Sequence, residues 1–316
     1  MAQRGNPSAF LTLGIGASGV LGSAIYRAFG KTNHSVTGLA HTRTQGRLKQ
    51  LDLTDQVTVQ QFLRELKPDW VIHCAAERRP DVAEKVFLFV TTPPKPANYS
   101  QLNAEVPGYL ASLAADLGFT LIYISTDYVF DGISPPYGLE SPPNPLQLYG
   151  RTKRDGETAV SSVAGAKVVI LRVPVLYGPA PQNSDSAVNI LLDIVQDQSG
   201  KQYQMDHYAT RYPTNVEDIA GFLVRAIAQD KPLPKIVHYS GDEPFTKYEM
   251  CLIFAKILRI SHSHIIPDSN PTTGAGATTR PRDCHLSTKE TEDLGIEGGL
   301  GLSLFEEWWS KYLKAQ

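Results

Sequence analysis

The sequence predicts an α/β protein built on a doubly wound parallel sheet, with a smaller carboxyl-terminal α/β lobe. Three features support this. Strand-like apolar runs alternate with segments of helical period through the first half, a glycine-rich turn joins the first run to the first helical segment, and the alternation loosens after Gly178. Strands and helices that alternate in this way form βαβ units, which place helices on both faces of a parallel sheet.

The elements of the sheet domain can be assigned in order along the chain from their hydrophobic period. The first strand-like run is followed by a helical segment, and similar runs and segments continue as far as Pro174. We predict strands at residues 9–14, 35–40, 70–74, 120–125 and 167–174, and helices at residues 19–29, 55–66 and 100–117.

The smaller lobe is assigned to the rest of the chain. We place the boundary at residue 178, so that residues 1–178 form the sheet domain, to which a later segment or two returns, and residues 179–316 form the lobe. We predict helices at residues 186–196, 216–228 and 246–258, a short strand at residues 236–240, and an exposed loop at residues 270–279.

Two polar stretches of this lobe have the spacing of a helix capping box. Thr246 precedes Glu249 by three residues, and Ser287 precedes Glu290 by the same interval, so both stretches are predicted to start helices. The tail carries an amphipathic segment at residues 302–313 with Trp308 and Trp309, which either docks on a partner or packs on the second lobe.

Composition excludes several classes of protein. The 316 residues carry 30 basic and 32 acidic side chains and a formal charge of −2, and no basic stripe indicates nucleic-acid binding. Three widely spaced cysteines indicate neither a disulfide framework nor a zinc site, and we expect no metal. With no apolar secretion signal and no run of roughly eighteen apolar residues, we expect a cytoplasmic protein without a membrane partner.

Glycines at positions 16, 19 and 22 lie between the first predicted strand and the first helix. In a Rossmann-type fold, such a turn allows backbone N–H groups to approach a pyrophosphate at the amino end of a helix. The spacing is G-x-x-G-x-x-G, with Gly14 before it, and an ordinary tight turn is the alternative interpretation.

The end of the second predicted strand should meet the adenosine ribose. It carries His41 and Arg43, with Arg47 nearby, and no acidic residue. A carboxylate at this place favours a free 2′-hydroxyl, whereas arginine favours a 2′-phosphate, so NADP is preferred over NAD. The alternative is a solvated basic loop. Asp52 and Leu53 could face the adenine, although Asp52 could equally cap the helix that begins near Asp55.

Thr126, Tyr149 and Lys153 form a candidate catalytic set. Tyr149 and Lys153 are four residues apart, which places them on one face of a helix, and Thr126 follows a strand at the edge where ligands of parallel sheets bind. The hydroxyl can hold a substrate carbonyl, the phenol can transfer a proton, and the cation lowers the phenol pKa. The alternative is that Thr126 and Asp127 only form a turn.

These residues resemble the extended short-chain dehydrogenase/reductases, especially the dTDP-4-dehydrorhamnose reductases, which share the sequence from Ser125 to Phe130 and the Tyr149/Lys153 pair. The chain more specifically resembles the regulatory β subunits of methionine adenosyltransferase. The segments that carry this second resemblance are residues 73–82, 205–207, 211–214, 246–250 and 280–282.

The second resemblance implies a protein that binds NADP (or NADPH) and associates with the catalytic subunit that makes S-adenosylmethionine, which it modulates. Whether such a protein also turns over a substrate is left open; the alternative is an NADPH-dependent reductase of a 4-keto sugar nucleotide. The cofactor contacts that the resemblance implies are Ser18, Gly19, Val20, Leu21, His41, Thr42, Arg43, Asp52, Leu53, Cys74, Arg78, Tyr149, Lys153 and Leu176.

The chain departs from the β subunits at two places near these contacts. Thr42 and Arg43 stand where the family has consecutive arginines, which weakens the NADP assignment. Residues 85–98 look like an insertion, either a loop over the substrate cleft or translated intron sequence.

Overall fold

The computed structural model describes residues 11–44, 46–77, 100–271 and 280–315. Its strands and helices are numbered here in chain order. The strands are β1 (Leu11–Ile15), β2 (Ser35–Ala40), β3 (Lys49–Gln50), β4 (Trp70–His73), β5 (Thr120–Thr126), β6 (Lys167–Val173), β7 (Leu176–Tyr177), β8 (Tyr203–Asp206), β9 (Thr214–Asn215), β10 (Ile236–His238) and β11 (Ile265–Asp268). The α-helices are α1 (Val20–Phe29), α2 (Gln56–Leu66), α3 (Val106–Leu117), α4 (Leu148–Ser161), α5 (Ile190–Gln196), α6 (Val216–Ala228), α7 (Lys247–Leu258), α8 (Lys289–Glu292) and α9 (Phe305–Lys314).

Seven strands form one parallel sheet in the order β10-β6-β5-β4-β1-β2-β3. The chain moves outward from β1 in one direction through β2 and β3, and in the other through β4, β5 and β6. Strand order therefore reverses between β1 and β4, which creates a crevice at their carboxyl ends, where ligands of such sheets bind. This arrangement confirms the predicted doubly wound fold.

Helices cover both faces of the sheet. On one face, α1 and α6 pack on buried side chains of β4, β5 and β6, such as Ile72 and Leu171. On the other face, α2, α3 and α4 contribute Leu63, Leu110 and Val160 to a second core. The inner strands β1, β4, β5 and β6 are largely buried on both sides, so their sequences are mostly apolar, which is why they could be recognised.

A third core forms the smaller lobe, from α5, α7, α9 and the parallel pair β8 and β11. Trp309 of α9 is fully buried there against Phe254 and Tyr177. This burial supports packing, rather than docking, as the role of Trp309. β10 lies after residue 178 in the chain, yet it pairs with β6 in the main sheet. The domain boundary at residue 178 stays a prediction.

The two predicted capping boxes differ in outcome. The box at Thr246 is confirmed, since Thr246 Oγ1 accepts from the Glu249 N–H at 3.2 Å and the Thr246 N–H donates to Glu249 Oε2 at 2.7 Å. The stretch at Ser287 does start a helix, α8, as predicted, but the hydrogen bonds of a capping box at Ser287 do not form. The Ser287 N–H donates to the Tyr137 carbonyl at 2.8 Å, and α8 begins after Thr288, which makes no capping bond with its side chain.

The helix predicted from residue 186 begins instead at Ile190, because the Ser186 hydroxyl accepts from the N–H groups of Val188 and Asn189 in a preceding turn. The predicted loop at residues 270–279 lies mostly outside the described residues. No helix in the described part of the chain combines the length and hydrophobicity that a membrane span requires.

Candidate functional site

The turn between β1 and α1, called here the glycine turn (residues 16–22), requires glycine for two close approaches. Gly16 has φ of +79°, and a Cβ there would lie 2.7 Å from the Ala75 nitrogen. A Cβ on Gly22 would overlap the Gly16 carbonyl oxygen. α1 starts after Gly19 with no side-chain cap and no acidic residue in its first turn. The amino end of this helix therefore suits an anion.

A cavity of about 900 Å³ opens at the carboxyl ends of the strands beside this turn. It brings together the described residues that the sequence predicted for the site, with the exception of Arg47. Arg78 and the insertion at residues 85–98 lie outside the described residues. The predicted residues that line the cavity are Gly16, Ser18, Gly19, Val20, Leu21, Gly22, His41, Thr42, Arg43, Asp52, Leu53, Cys74, Thr126, Tyr149, Lys153 and Leu176.

Tyr149 lies in the first turn of α4, which starts at the cavity. The Gln147 side-chain oxygen caps this helix by accepting from the N–H groups of Tyr149 and Gly150 at 2.8 and 3.4 Å. A Cβ on Gly150 would overlap the Tyr128 carbonyl oxygen, so the glycine allows the helix to approach the chain after β5. The Tyr149 ring consequently lies 6.5 Å from that of Tyr128, edge to face.

Lys153 lies one turn further along α4 and is buried, with 2% of its surface exposed. Its Nζ donates to the Ile124 carbonyl at 2.5 Å and lies 3.9 Å from the centre of the Tyr123 ring. Burial lowers the Lys153 pKa to about 7, against the opposing effects of Glu157 and Cys74. An ammonium with this pKa can change its charge near neutral pH when a polar ligand enters the cavity.

Thr126 is the last residue of β5. It lines the cavity and also starts a turn, so both interpretations of this residue from the sequence apply. Its hydroxyl donates to the Asp127 carboxylate at 3.0 Å and accepts from the Tyr128 N–H at 3.2 Å, which starts the short 3-10 helix Asp127–Val129. Asp127 is buried, and this burial raises its pKa to about 6 although Arg211 lowers it. To donate to a ligand, the Thr126 hydroxyl has to leave Asp127.

At the end of the cavity next to β2 and β3, the basic residues Arg43 and His41 face acids. Arg43 Nη1 lies 2.6 Å from Asp185 Oδ2, and His41 Nε2 lies 3.9 Å from Asp52 Oδ2. Asp52 does not cap α2, since Asp55 does so by accepting from the Thr58 N–H. Hydrogen bonds from the Thr54 N–H and hydroxyl hold the pKa of Asp52 below its ordinary value.

Arg47, which the sequence placed near the ribose, lines a separate surface pocket together with Lys31 and Lys49. The solvated-loop interpretation therefore describes Arg47 better than Arg43, because Arg43 lines the cavity.

The cavity also contains charged residues that the sequence analysis did not assign to it: Asp127, Asp185, Arg211, Lys247 and Arg280. Arg211 is buried, and its Nη1 donates to the carbonyls of Thr210 and Pro281 at 2.7 and 3.0 Å. Its Nη2 is buried without a hydrogen-bond partner among the described residues. Asp127 follows β5 of the sheet domain, and the other four residues lie beyond residue 178, Asp185 in a 3-10 helix and Lys247 at the start of α7. No local hydrophobic period indicated that these residues face the cavity.

Comparison with known proteins first shows the class to which a chain with this fold and cavity belongs. Residues 11–301 match the family model described as RmlD substrate binding domain. Two solved dTDP-4-dehydrorhamnose reductases share the fold, each with a TM-score of 0.79. The one from Clostridium acetobutylicum is 24% identical, and the alignment covers 96% of this chain and 99% of that chain. The one from Bacillus anthracis, solved in complex with NADP, is 23% identical, with 98% and 100% covered.

A more similar relative is methionine adenosyltransferase 2 subunit beta of Xenopus tropicalis. It is 43% identical over 285 residues, which are 89% of this chain and 81% of that protein. The chain therefore belongs to the RmlD substrate binding domain family and, within it, to the group of methionine adenosyltransferase 2 β subunits.

Proposed function

We propose that this chain binds NADP in the cavity and acts as a regulatory β-like subunit, which associates with the catalytic subunit of methionine adenosyltransferase and modulates S-adenosylmethionine synthesis. The observation that carries the proposal is the 43% identity to a β subunit along 89% of the chain. Since only about a tenth of the chain lies outside this match, most of the sheet domain and most of the second lobe fall within it.

The residues that line the cavity fit a nicotinamide dinucleotide. The glycine turn and the uncapped amino end of α1 suit its pyrophosphate. Asp52 and Leu53 would hold the adenine, and Arg43 the 2′-phosphate. Tyr149 and Lys153 would hold the nicotinamide ribose, where hydroxyl groups offer the buried ammonium hydrogen-bond partners.

The partner is tested by mixing the purified chain with the catalytic subunit of methionine adenosyltransferase, with and without NADP, and measuring mass by size-exclusion chromatography with light scattering. We expect one stoichiometric complex and a changed rate of S-adenosylmethionine formation. A mixture that elutes as two separate proteins, at the same synthetic rate as the catalytic subunit alone, would contradict the regulatory function.

The second candidate is an NADPH-dependent reductase of a 4-keto sugar nucleotide. It is favoured by one observation: Thr126, Tyr149 and Lys153 all line the same cavity. When bound, the dinucleotide would supply hydride. Tyr149 would donate its phenolic proton to the substrate oxygen, Lys153 would stabilise the phenolate, and Thr126 would turn its hydroxyl from Asp127 towards the substrate.

Tyr149→Phe tests this second function, with oxidation of NADPH by a dTDP-4-keto-6-deoxy sugar as the measurement. If the wild type is a reductase, the variant should lose at least about a hundredfold in turnover, the usual range for a general acid, and keep much of its NADPH affinity. Tyr128→Phe changes the neighbouring phenol and should retain turnover. Equal turnover of Tyr149→Phe and the wild type would exclude this role of Tyr149.

A further inference from the structure

Arg43 and Asp185 meet across the adenosine end of the cavity. Arg43 follows β2 in the sheet domain, whereas Asp185 ends the 3-10 helix Asn183–Asp185, 142 residues later in the chain. Their side chains form an ion pair of 2.6 Å, and both residues line the cavity. A carboxylate is therefore present next to the arginine, although none follows β2 in the sequence.

Hydrogen bonds fix the backbone of the segment that carries this carboxylate. The Asp185 N–H donates to the Gln182 carbonyl at 2.9 Å, and the Ser186 N–H donates to that of Asn183 at 3.0 Å. The Ser186 hydroxyl donates to the Leu176 carbonyl at 2.7 Å, which connects the segment to the strand β7 on the same cavity. The Asp185 side chain is also the better buried of the two, with 16% exposed against 45% for Arg43.

We propose that Asp185 is a specificity-determining residue, which lowers the preference of the site for the phosphorylated dinucleotide and allows it to bind NAD as well. This inference rests on the proposed binding of a nicotinamide dinucleotide. A 2′-phosphate that approaches Arg43 competes with Asp185 for the guanidinium and is repelled by the carboxylate. A 2′-hydroxyl carries no charge to be repelled, and it can donate to a carboxylate.

The test is calorimetric titration of NADP and NAD into the wild type and Asp185→Asn. We expect the ratio of the NAD to the NADP dissociation constant to rise roughly threefold to tenfold in the variant, an effect kept modest because solvent screens this partly exposed charge. In an Arg43→Ala background the same substitution should raise the ratio less, since competition for the guanidinium is absent.

Asp193→Asn is the matched control. The Asp193 carboxylate accepts from the Asn183 side chain, so this variant loosens the same segment, but Asp193 is not among the residues that line the cavity. Its ratio should equal that of the wild type.

An unchanged or lowered ratio in Asp185→Asn, with both dinucleotides bound, overturns the inference and leaves the proposed cofactor site intact. A rise of equal size in Asp193→Asn overturns it too, because the cause would be the loosened segment. Failure of the wild type to bind either dinucleotide removes both the inference and the proposed function.

Discussion

Asp127 is a buried acid that lines the cavity, with 4% of its surface exposed. Burial raises its pKa to about 6, although Arg211 and the Thr126 hydroxyl act in the opposite direction. The folded protein therefore binds this proton more tightly than the unfolded chain. The free energy of unfolding should fall as pH rises through the range between the ordinary value and about 6, and remain lowered above it.

Asp127→Asn removes this titration. Between pH 4 and pH 7.5, the stability of the variant relative to the wild type should rise by about 2 to 3 kcal/mol, which corresponds to the shift of the pKa from 3.8 to about 6. Urea unfolding of both proteins at pH 4 and at pH 7.5 measures this change in relative stability. Asp131→Asn should show the opposite sign and a smaller change over this range, because hydrogen bonds from Tyr137 and Asn144 lower the pKa of Asp131, so that most of its titration lies below pH 4. A difference in stability between Asp127→Asn and the wild type that does not change with pH would contradict a raised pKa of Asp127.

Single residues differ in how far the sequence predicts them. Tyr149 and Lys153 were predictable because helical geometry fixes the relation of residues four apart, and both line the cavity. Asp185 and Arg211 were not, since loops with no period bring them to the cavity from the second lobe. Their placement depends on packing between distant segments, which a local pattern does not contain.

At the scale of elements, the glycine turn determines whether β1 and α1 can form an anion site. Gly22→Ala adds a Cβ that overlaps the Gly16 carbonyl, so the turn has to shift. We expect a loss of stability of roughly 1–3 kcal/mol together with a loss of dinucleotide affinity. Gly14→Ala is the control, since its nearest neighbour is the Thr37 carbonyl oxygen at 3.9 Å, an ordinary contact. Urea unfolding and calorimetry that find the two variants alike would contradict this account of the turn.

Strands and helices were predictable from the sequence where their own residues determine where they form. The inner strands of the main sheet are mostly apolar, and the Thr246 box caps the first turn of α7, a helix of three turns. The Ser287 stretch starts α8, but its capping box does not form, because a long-range pairing with Tyr137 already uses the Ser287 N–H. β3, β7 and β9 have two residues each, too few to show a period.

At the scale of the whole molecule, α9 completes the core of the second lobe. Trp309→Ala should lower the free energy of unfolding by about 3–5 kcal/mol, because it leaves a cavity among Tyr177, Phe254 and Phe305. Trp308→Ala should cost less, since Trp308 is only partly buried and its indole N–H donates to Glu217 at 3.3 Å. Urea denaturation of both variants checks this order, and a larger loss for Trp308→Ala would contradict it.

The doubly wound fold followed from the sequence, because βαβ units allow few other arrangements. The cavity between the sheet edge and the second lobe followed only in part, because five of its charged residues were not assigned to it. The regulatory and the catalytic candidates share this cavity, and both require that it binds a nicotinamide dinucleotide.

Calorimetric titration of the purified chain with NADP and with NAD measures this requirement directly. We predict saturable binding of both, with NADP the tighter ligand, and the loss of binding in Gly22→Ala. An absence of heat and of thermal stabilisation with either dinucleotide, in a protein whose folding is verified by circular dichroism, would contradict the central claim.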